Sequence, residues 1–574
     1  MRATTRSLTA ILAAILVPAA LAAGMFAPAG DAFDAAAKLV PADAVAVVLL
    51  PSPKAASDDL QQALDRMGRA ESALGGRPID LLKAQLRIGP GFDDRGPCAL
   101  WIERRDGKAA AVGAFPVTDA KAFIAGTFTP APDLGPDAYR MPDRPDQALF
   151  VREAGKHVIV AQDARSAQGY DPKGGIGAAL AAHAGERGLA IMRAADACSW
   201  AGESVFADAA AAMRAATDPN TTPADRERGA DVVSQVTDGI VAFDFDALGV
   251  GIRAHARFRE GSEIAKAIQP SAKGAAPRMA ASLLGRLPAA PYYGALGIDL
   301  LSLGGSSHLR GFLRTIPRAQ QVELPPWLDA VQDKVQSLQV AAYPSKLGVL
   351  SGGVLNDAAF VVATSDPAAV KQALRTWIEG QAGESEGIRR APAWEDARTL
   401  KDGTAVSAFE VKEVVTGPGG DAMQRIVKQM FVGARGLHGF AKELPGALVV
   451  TYSQRADVLG RALKAASGAE GARTLGADAT IKAMEPWLVP DPDVAVFLGV
   501  GELLGAAQQV AEMIPGADGA MLPAPAERME PVGLAVRCKD ATWEVAVVVP
   551  SGVLALGWDA AKAQLMPPPA PKAP

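Results

Sequence analysis

The sequence predicts an α+β protein made of two tandem, duplicated halves, each a set of antiparallel strands covered by helices. Three observations point there. Short apolar runs bounded by Gly, Pro and Asp read as hairpins, and segments of helical character opened by Asp or Ser follow them directly. Two different elements also recur at one spacing, which is the mark of an internal repeat.

The first element reads as one that is removed. Arg2 and Arg6 precede an apolar run from Leu8 to Val17, Pro18 breaks that run, and Ala20-Leu21-Ala22 has the small-x-small pattern of a cleavage site. Residues 1–22 are therefore expected to be a signal peptide, cut after Ala22 or Ala23, and the protein to be periplasmic or secreted. An uncleaved anchor is the competing reading, because apolar character continues to Phe26. Loss of residues 1–22 removes two Arg and no acid, moving the formal net charge from −5 to −7. That disfavours a nucleic-acid partner. No later apolar run reaches the roughly 18 residues a membrane span needs, so no transmembrane segment is expected after cleavage.

The first half is expected over residues 36–275. Leu39-Val40-Pro41-Ala42-Asp43 is a proline turn feeding a buried strand through Leu49. Cys98 to Glu103 and Ala109 to Val117 flank Arg105-Asp106-Gly107 as a hairpin, after which Thr118-Asp119 opens a helix. Ala148 to Ala161, leading to Gln162-Asp163, repeats that plan. Val241 to Phe245 and Val250 to Phe258 frame another hairpin.

The second half is expected over residues 283–565. A strand enters from Leu287-Pro288, a hairpin spans Leu338 to Ser351 and Ala358 to Ala363, and Thr364-Ser365-Asp366 opens a helix. Ala447 to Tyr452 leads to Ser453, and Gly533 to Arg537 with Trp543 to Val549 makes a last hairpin. The Pro41-to-Pro288 and Asp119-to-Asp366 separations are both 247 residues, which suggests a tandem duplication. Leu488 to Leu498 matches Leu39 to Leu49 at seven of eleven positions. Met423, Ile426, Val427, Met430, Phe431, Ala434, Leu437 and Ala441 recur at helical spacing and predict an amphipathic helix ended by Pro445. The Pro-rich stretch 567–574 reads as a disordered tail.

The Leu39-Val40-Pro41-Ala42-Asp43 strand, the Pro116-Val117-Thr118-Asp119 helix start and the signal peptide resemble those of a group of uncharacterised exported bacterial proteins. In these, Leu-Pro-Ala-Asp strands alternate with hairpin-helix units. The resemblance implies a fold and a compartment and brings no catalytic residues with it.

Candidate chemistry is sparse. Asp119, Asp163 and Asp366 sit where helices begin and read as caps accepting free backbone N–H groups. Asp244 and Asp246 could face a divalent cation, but a solvated face beside a turn is the preferred reading. Asp218 to Thr222 begins like a calcium loop, yet Pro223 stands where Gly belongs, so it reads as a helix-linking loop. Asp133, Asp137, Asp143 and Asp146 read as solvated turns of a Pro-rich loop. Gly499-Val500-Gly501 through Gly505 superficially resembles a dinucleotide fingerprint with a wrong last interval, and reads as tight strand-helix packing. Gly304-Gly305-Ser306-Ser307-His308 lacks the final Gly of a nucleophile elbow. His157, His183, His255, His308 and His438 show no metal-site spacing. Cys98, Cys198 and Cys538 read as small buried residues, not a disulfide framework.

No catalytic, cofactor-binding or metal residue is therefore assigned. The expectation is a non-catalytic exported envelope protein that binds or scaffolds a macromolecule, with an envelope or extracellular protein as partner. Two alternatives stay open. One is a hydrolase assembled from distant residues, with Ser306 and His308 or Asp244 and Asp246 as candidates. The other is a carrier of a small apolar ligand.

Overall fold

The computed structural model describes residues 29–66, 77–85, 87–105, 107–142, 144–171, 175–216, 222–246, 248–268, 278–303, 326–348, 352–353, 357–385, 388–415, 436–512 and 529–556. The segment 1–22, the loop residues 218–221, Ser306, His308 and the tail 567–574 lie outside them. The chain divides into two compact units, Met1–Arg259 and Glu260–Pro574. Residues 260–268, assigned to the first half from sequence, fall in the second unit, and 269–275 lie outside the described residues.

In the first unit the strands are β1 (Ala46–Leu50), β2 (Cys98–Arg105), β3 (Lys108–Pro116), β4 (Thr129–Pro130), β5 (Ala138–Met141), β6 (Arg144–Ala154), β7 (His157–Ala161), β8 (Ala197–Gly202), β9 (Val236–Phe245) and β10 (Gly249–Phe258). They pair antiparallel in the order β4-β5-β6-β7-β3-β2-β1-β8-β9-β10. Gly107 (φ 74°) and Gly155 (φ 64°) close the β2–β3 and β6–β7 hairpins in the left-handed region, where a side chain would be strained. The expected Pro-rich loop around Asp133 and Asp137 instead contains β4 and β5. Pairing with β6 draws this segment into the ladder despite its turn residues.

The Ala120–Thr127 and Ala164–Gln168 helices start after β3 and β7, as the sequence suggests. The Gly177–Ala194 helix packs over β8, β9 and β10. Trp101, Val112, Ile159, Ile191, Met192, Trp200 and Ile240 share one core, each buried large side chain contributing about 1.5–3 kcal/mol.

The second unit holds β11 (Gly294–Asp299), β12 (Val335–Ala342), β13 (Asp357–Thr364), β14 (Gly383–Ser385), β15 (Ile388–Thr399), β16 (Ala405–Val415), β17 (Leu437–Leu444), β18 (Ala447–Ser453), β19 (Val494–Leu498), β20 (Val532–Lys539) and β21 (Thr542–Pro550). Their antiparallel order is β14-β15-β16-β17-β18-β13-β12-β11-β19-β20-β21. Val370, Leu374 and Ile378 form the buried stripe of the Pro367–Glu379 helix, and Val458, Leu459 and Ala462 that of Ala456–Ala466.

Two expectations are corrected here. The described end of the predicted 423–441 helix is strand: Leu437 and Ala441 lie on β17, and Pro445 belongs to the turn into β18. Ladders to β16 and β18 outweigh the helical spacing. Gly439 makes them possible, because a Cβ there would meet the Phe409 ring at 2.2 Å and the Thr451 carbonyl oxygen at 2.2 Å. The strand expected from Leu338 to Ser351 ends at Ala342, and Tyr343 to Leu347 form a loop with a turn.

Candidate functional site

Of the acids singled out from sequence, Asp119, Asp163, Asp366 and Asp133 are taken up by backbone and ion-pair roles, and Asp143 and Asp218 lie outside the described residues. Asp119 accepts from Ala122 N–H at 3.0 Å, Asp163 from Ser166 at 2.9 Å and Asp366 from Ala369 at 3.0 Å, each capping a helix. Thr222 caps Pro223–Ser234 by accepting from Asp225 N–H at 3.1 Å. Asp133 pairs with Arg140 at 2.6 Å. Gly499, between β19 and the helix that follows, abuts the Tyr292 carbonyl of the segment before β11 so closely that a Cβ would clash with its oxygen, so the tight packing here is of the strand-to-helix turn against that segment. Cys98, Cys198 and Cys538 are buried and unbridged. Burial pushes the first two thiols up to about 12 and raises the third, so none is poised as a thiolate.

Asp244 and Asp246 differ from both sequence readings. The β9 strand ends at Phe245, so Asp246 lies in the turn and accepts from Leu248 N–H. Asp244 is neither solvated nor free: Arg253 donates to it through Nε and Nη2, both at 2.8 Å, with both side chains largely buried.

These two belong to a larger group that the sequence reading missed. Asp196 stands just before β8. Its N–H donates to the Phe243 carbonyl at 3.0 Å and its Oδ2 accepts from Phe245 N–H at 3.0 Å, fixing the end of β9. Asp59 lies on the buried face of the Pro53–Arg66 helix at 3% exposure. Its Oδ1 accepts from Gln62 at 2.6 Å, while its Oδ2 is buried without a hydrogen-bond partner. Ala56, Ala197 and Phe245 pack beside them with Leu50, Leu60, Phe243 and Val250. Burial, then Asp58 and Asp246, raise Asp59 to about 6. Burial also lifts Asp196 to about 7, against the Phe245 N–H and with Asp244 and Asp59 adding. Asp244 and Asp246 are raised as well, chiefly by burial.

Above this group opens a cleft of about 520 Å³, lined by Ser52, Lys54, Asp58, Asp59, Gln62 and Arg95. Lys54 pairs with Asp58, and Arg77 reaches the same carboxylate at 3.3 Å. The lining thus carries both charges and suits a polar, mixed-charge group over an apolar one. Among the described residues no group of three or more His, Cys, Asp and Glu is arranged to hold a metal ion.

The second unit has a related arrangement. Asp493, just before β19, donates to Val536 at 2.8 Å and accepts from Cys538 N–H at 2.6 Å. Arg278 lies against it, paired with Asp299 and bonded through its N–H to Asp491 at 3.2 Å. A signal for both sites was legible: an Asp immediately before a short apolar strand, and for Asp59 an acid within the Ala56, Ala63 stripe of a helix.

No helix among the described residues is long and apolar enough to cross a membrane. No protein-family model matches the chain, and no curated protein matches it. Among solved structures the chain is similar to one described as crystal form III of TP0453, with 9% identity and a TM-score of 0.19, over 50% of this chain and 100% of that one. A likeness at this level assigns neither fold nor function.

Proposed function

We propose that this chain is an exported, non-catalytic envelope protein that binds or scaffolds a macromolecular partner on two tandem copies of one strand-and-helix plan. The non-catalytic part rests on one observation: among the described residues, six acids placed where chemistry could be served are engaged in holding backbone or an arginine. Asp119, Asp163 and Asp366 cap helices, Asp244 holds Arg253, and Asp196 and Asp493 fasten strands.

The tandem part is supported by strand order and register. With β14 set aside, β15-β16-β17-β18-β13-β12-β11-β19-β20-β21 follows the same path as β4-β5-β6-β7-β3-β2-β1-β8-β9-β10. Ala46 faces Ile102 and Ala201, as Gly294 faces Ala342 and Leu498. Asp119 and Asp366 cap the helices that follow β3 and β13. Export rests on Arg2, Arg6 and the Ala20-Leu21-Ala22 site.

Purified mature protein is expected to show no turnover of ester, peptide, glycoside or phosphoester substrates, with or without divalent metals. Turnover abolished by Ser306→Ala or Asp244→Asn would move the hydrolase reading to first place. N-terminal sequencing of exported protein should begin near Ala23, and recovery of intact Met1 would show an anchor instead.

A further inference from the structure

We propose that the Pro53–Arg66 helix is a proton-controlled latch: it docks on the β8–β9–β10 end of its unit while its own Asp59 and the acids beneath it hold protons. It lifts when they ionise, widening the Ser52–Arg95 cleft and baring the apolar patch under the helix.

The geometry that points to this is a buried acid without a cation. Asp59 is 3% exposed and one of its oxygens meets no donor, an arrangement a neutral carboxyl group tolerates far better than a carboxylate. The charged groups around it are already matched in pairs. On the helix itself, Lys54 is held by Asp58, which also takes Arg77, and Arg66 acts on Asp246. From the turn before β8 comes Asp196, from β9 Asp244, from the following turn Asp246, and from β10 Arg253, which Asp244 engages through two nitrogens. In the segment before β2, Asp94 pairs with Lys83 at 2.8 Å, and Arg95 is exposed at the cleft. Among the described residues no ion pair reaches Asp59 or Asp196.

The contact that must give way is defined. Ala56 and Leu60 of the helix meet Ala197, Phe243, Phe245 and Val250 below, the helix also buries Ala63 and Leu64, and its Ser57 hydroxyl accepts from the Ile79 N–H at 2.9 Å. Burial and neighbouring acids place the two transitions near pH 6 for Asp59 and near pH 7 for Asp196. The folded values lie above those of a free carboxyl group. The docked state therefore binds more protons, and its advantage is full below about pH 4 and is lost progressively until pH has passed about 6 and 7.

Hydrogen exchange of the full mature chain tests this, comparing residues 53–66 with the Glu203–Ala215 helix of the same unit as internal reference. After correction for intrinsic rates, protection of 53–66 relative to the reference should fall at least about 10-fold between pH 5 and pH 8. Asp59→Asn with Asp196→Asn should keep the pH 5 ratio at pH 8. A wild-type ratio that stays constant, or a drop that persists in the double variant, overturns the latch. Should the double variant fold poorly, the wild-type pair of measurements decides alone.

Discussion

Asp196 and Asp493 make the same two backbone bonds in different electrostatic company. Each stands one residue before a strand, donates to a carbonyl of the neighbouring strand, and accepts an N–H two residues further along that strand. Asp493 has Arg278 against it and a Ser302 hydroxyl to hand. Asp196 faces Asp244 and Asp59, while the nearby Arg253 is engaged by Asp244. The comparison separates two roles of one residue. The backbone lock needs only an acceptor, whereas the charge on that acceptor is penalised by burial in both units, a penalty that Ser302 and Arg278 oppose in one and that neighbouring acids deepen in the other.

The largest effect expected from this difference is in the second unit. Asp493→Ala strips the buried Cys538 N–H of its acceptor and removes an anion facing Arg278, a loss of about 3 kcal/mol by urea denaturation. Asp196→Ala at pH 8 also orphans an N–H but relieves repulsion, so its cost should be nearer 1 kcal/mol. Equal costs would break the comparison. Arg253→Met sharpens it from the other side. It leaves Asp244 buried among acids and should cost about 3 kcal/mol at pH 8, and clearly less at pH 5, where the acid can take up a proton.

A smaller effect is the pH profile of the wild-type protein. Folded values near 6 and 7 for Asp59 and Asp196 exceed the usual carboxyl value, so the folded unit holds extra protons between about pH 4 and 7. Stability of the first unit should therefore decline by about 2 kcal/mol from pH 5 to pH 8, and Asp196→Asn should flatten the decline. A rise over that range would show that the acids are compensated in a way the pairing does not reveal.

The sequence announced features whose cause is local and missed those whose cause is tertiary. Helix caps at Asp119, Asp163 and Asp366 and hairpin turns at Gly107 and Gly155 follow from the chain's own backbone needs, so a few neighbouring residues suffice to read them. The helical spacing through Leu437 and Ala441 misled because ladders on both sides of β17 decide that segment. The seven-of-eleven match of Leu39 to Leu49 with Leu488 to Leu498 joins β1 to β19, which occupy different places in their strand orders. A buried strand after a proline turn is a generic solution, so its sequence does not identify its place. Asp59 and Asp196 were missed because 137 residues of chain separate them, and only packing makes neighbours of a helix face and a strand start.

The smallest difference concerns the caps. Asp119 accepts from Ala122 N–H at the start of an eight-residue helix, while Asp366 accepts from Ala369 N–H and is also paired with Lys334 at 2.8 Å. The cap bond satisfies a donor that the helix itself leaves open, so Asp119→Ala should cost about 1 kcal/mol and Asp119→Asn, which keeps the acceptor, only a fraction of it. Asp366→Ala should move in the same direction. Because the Lys334 partner is solvent-accessible, raising the salt concentration should weaken that pair while leaving most of the Asp366→Ala loss in place. A loss at Asp366 that vanishes in high salt would mean that the ion pair, not the cap, is what the acid supplies, and the two positions would then share a place in the chain without sharing a role.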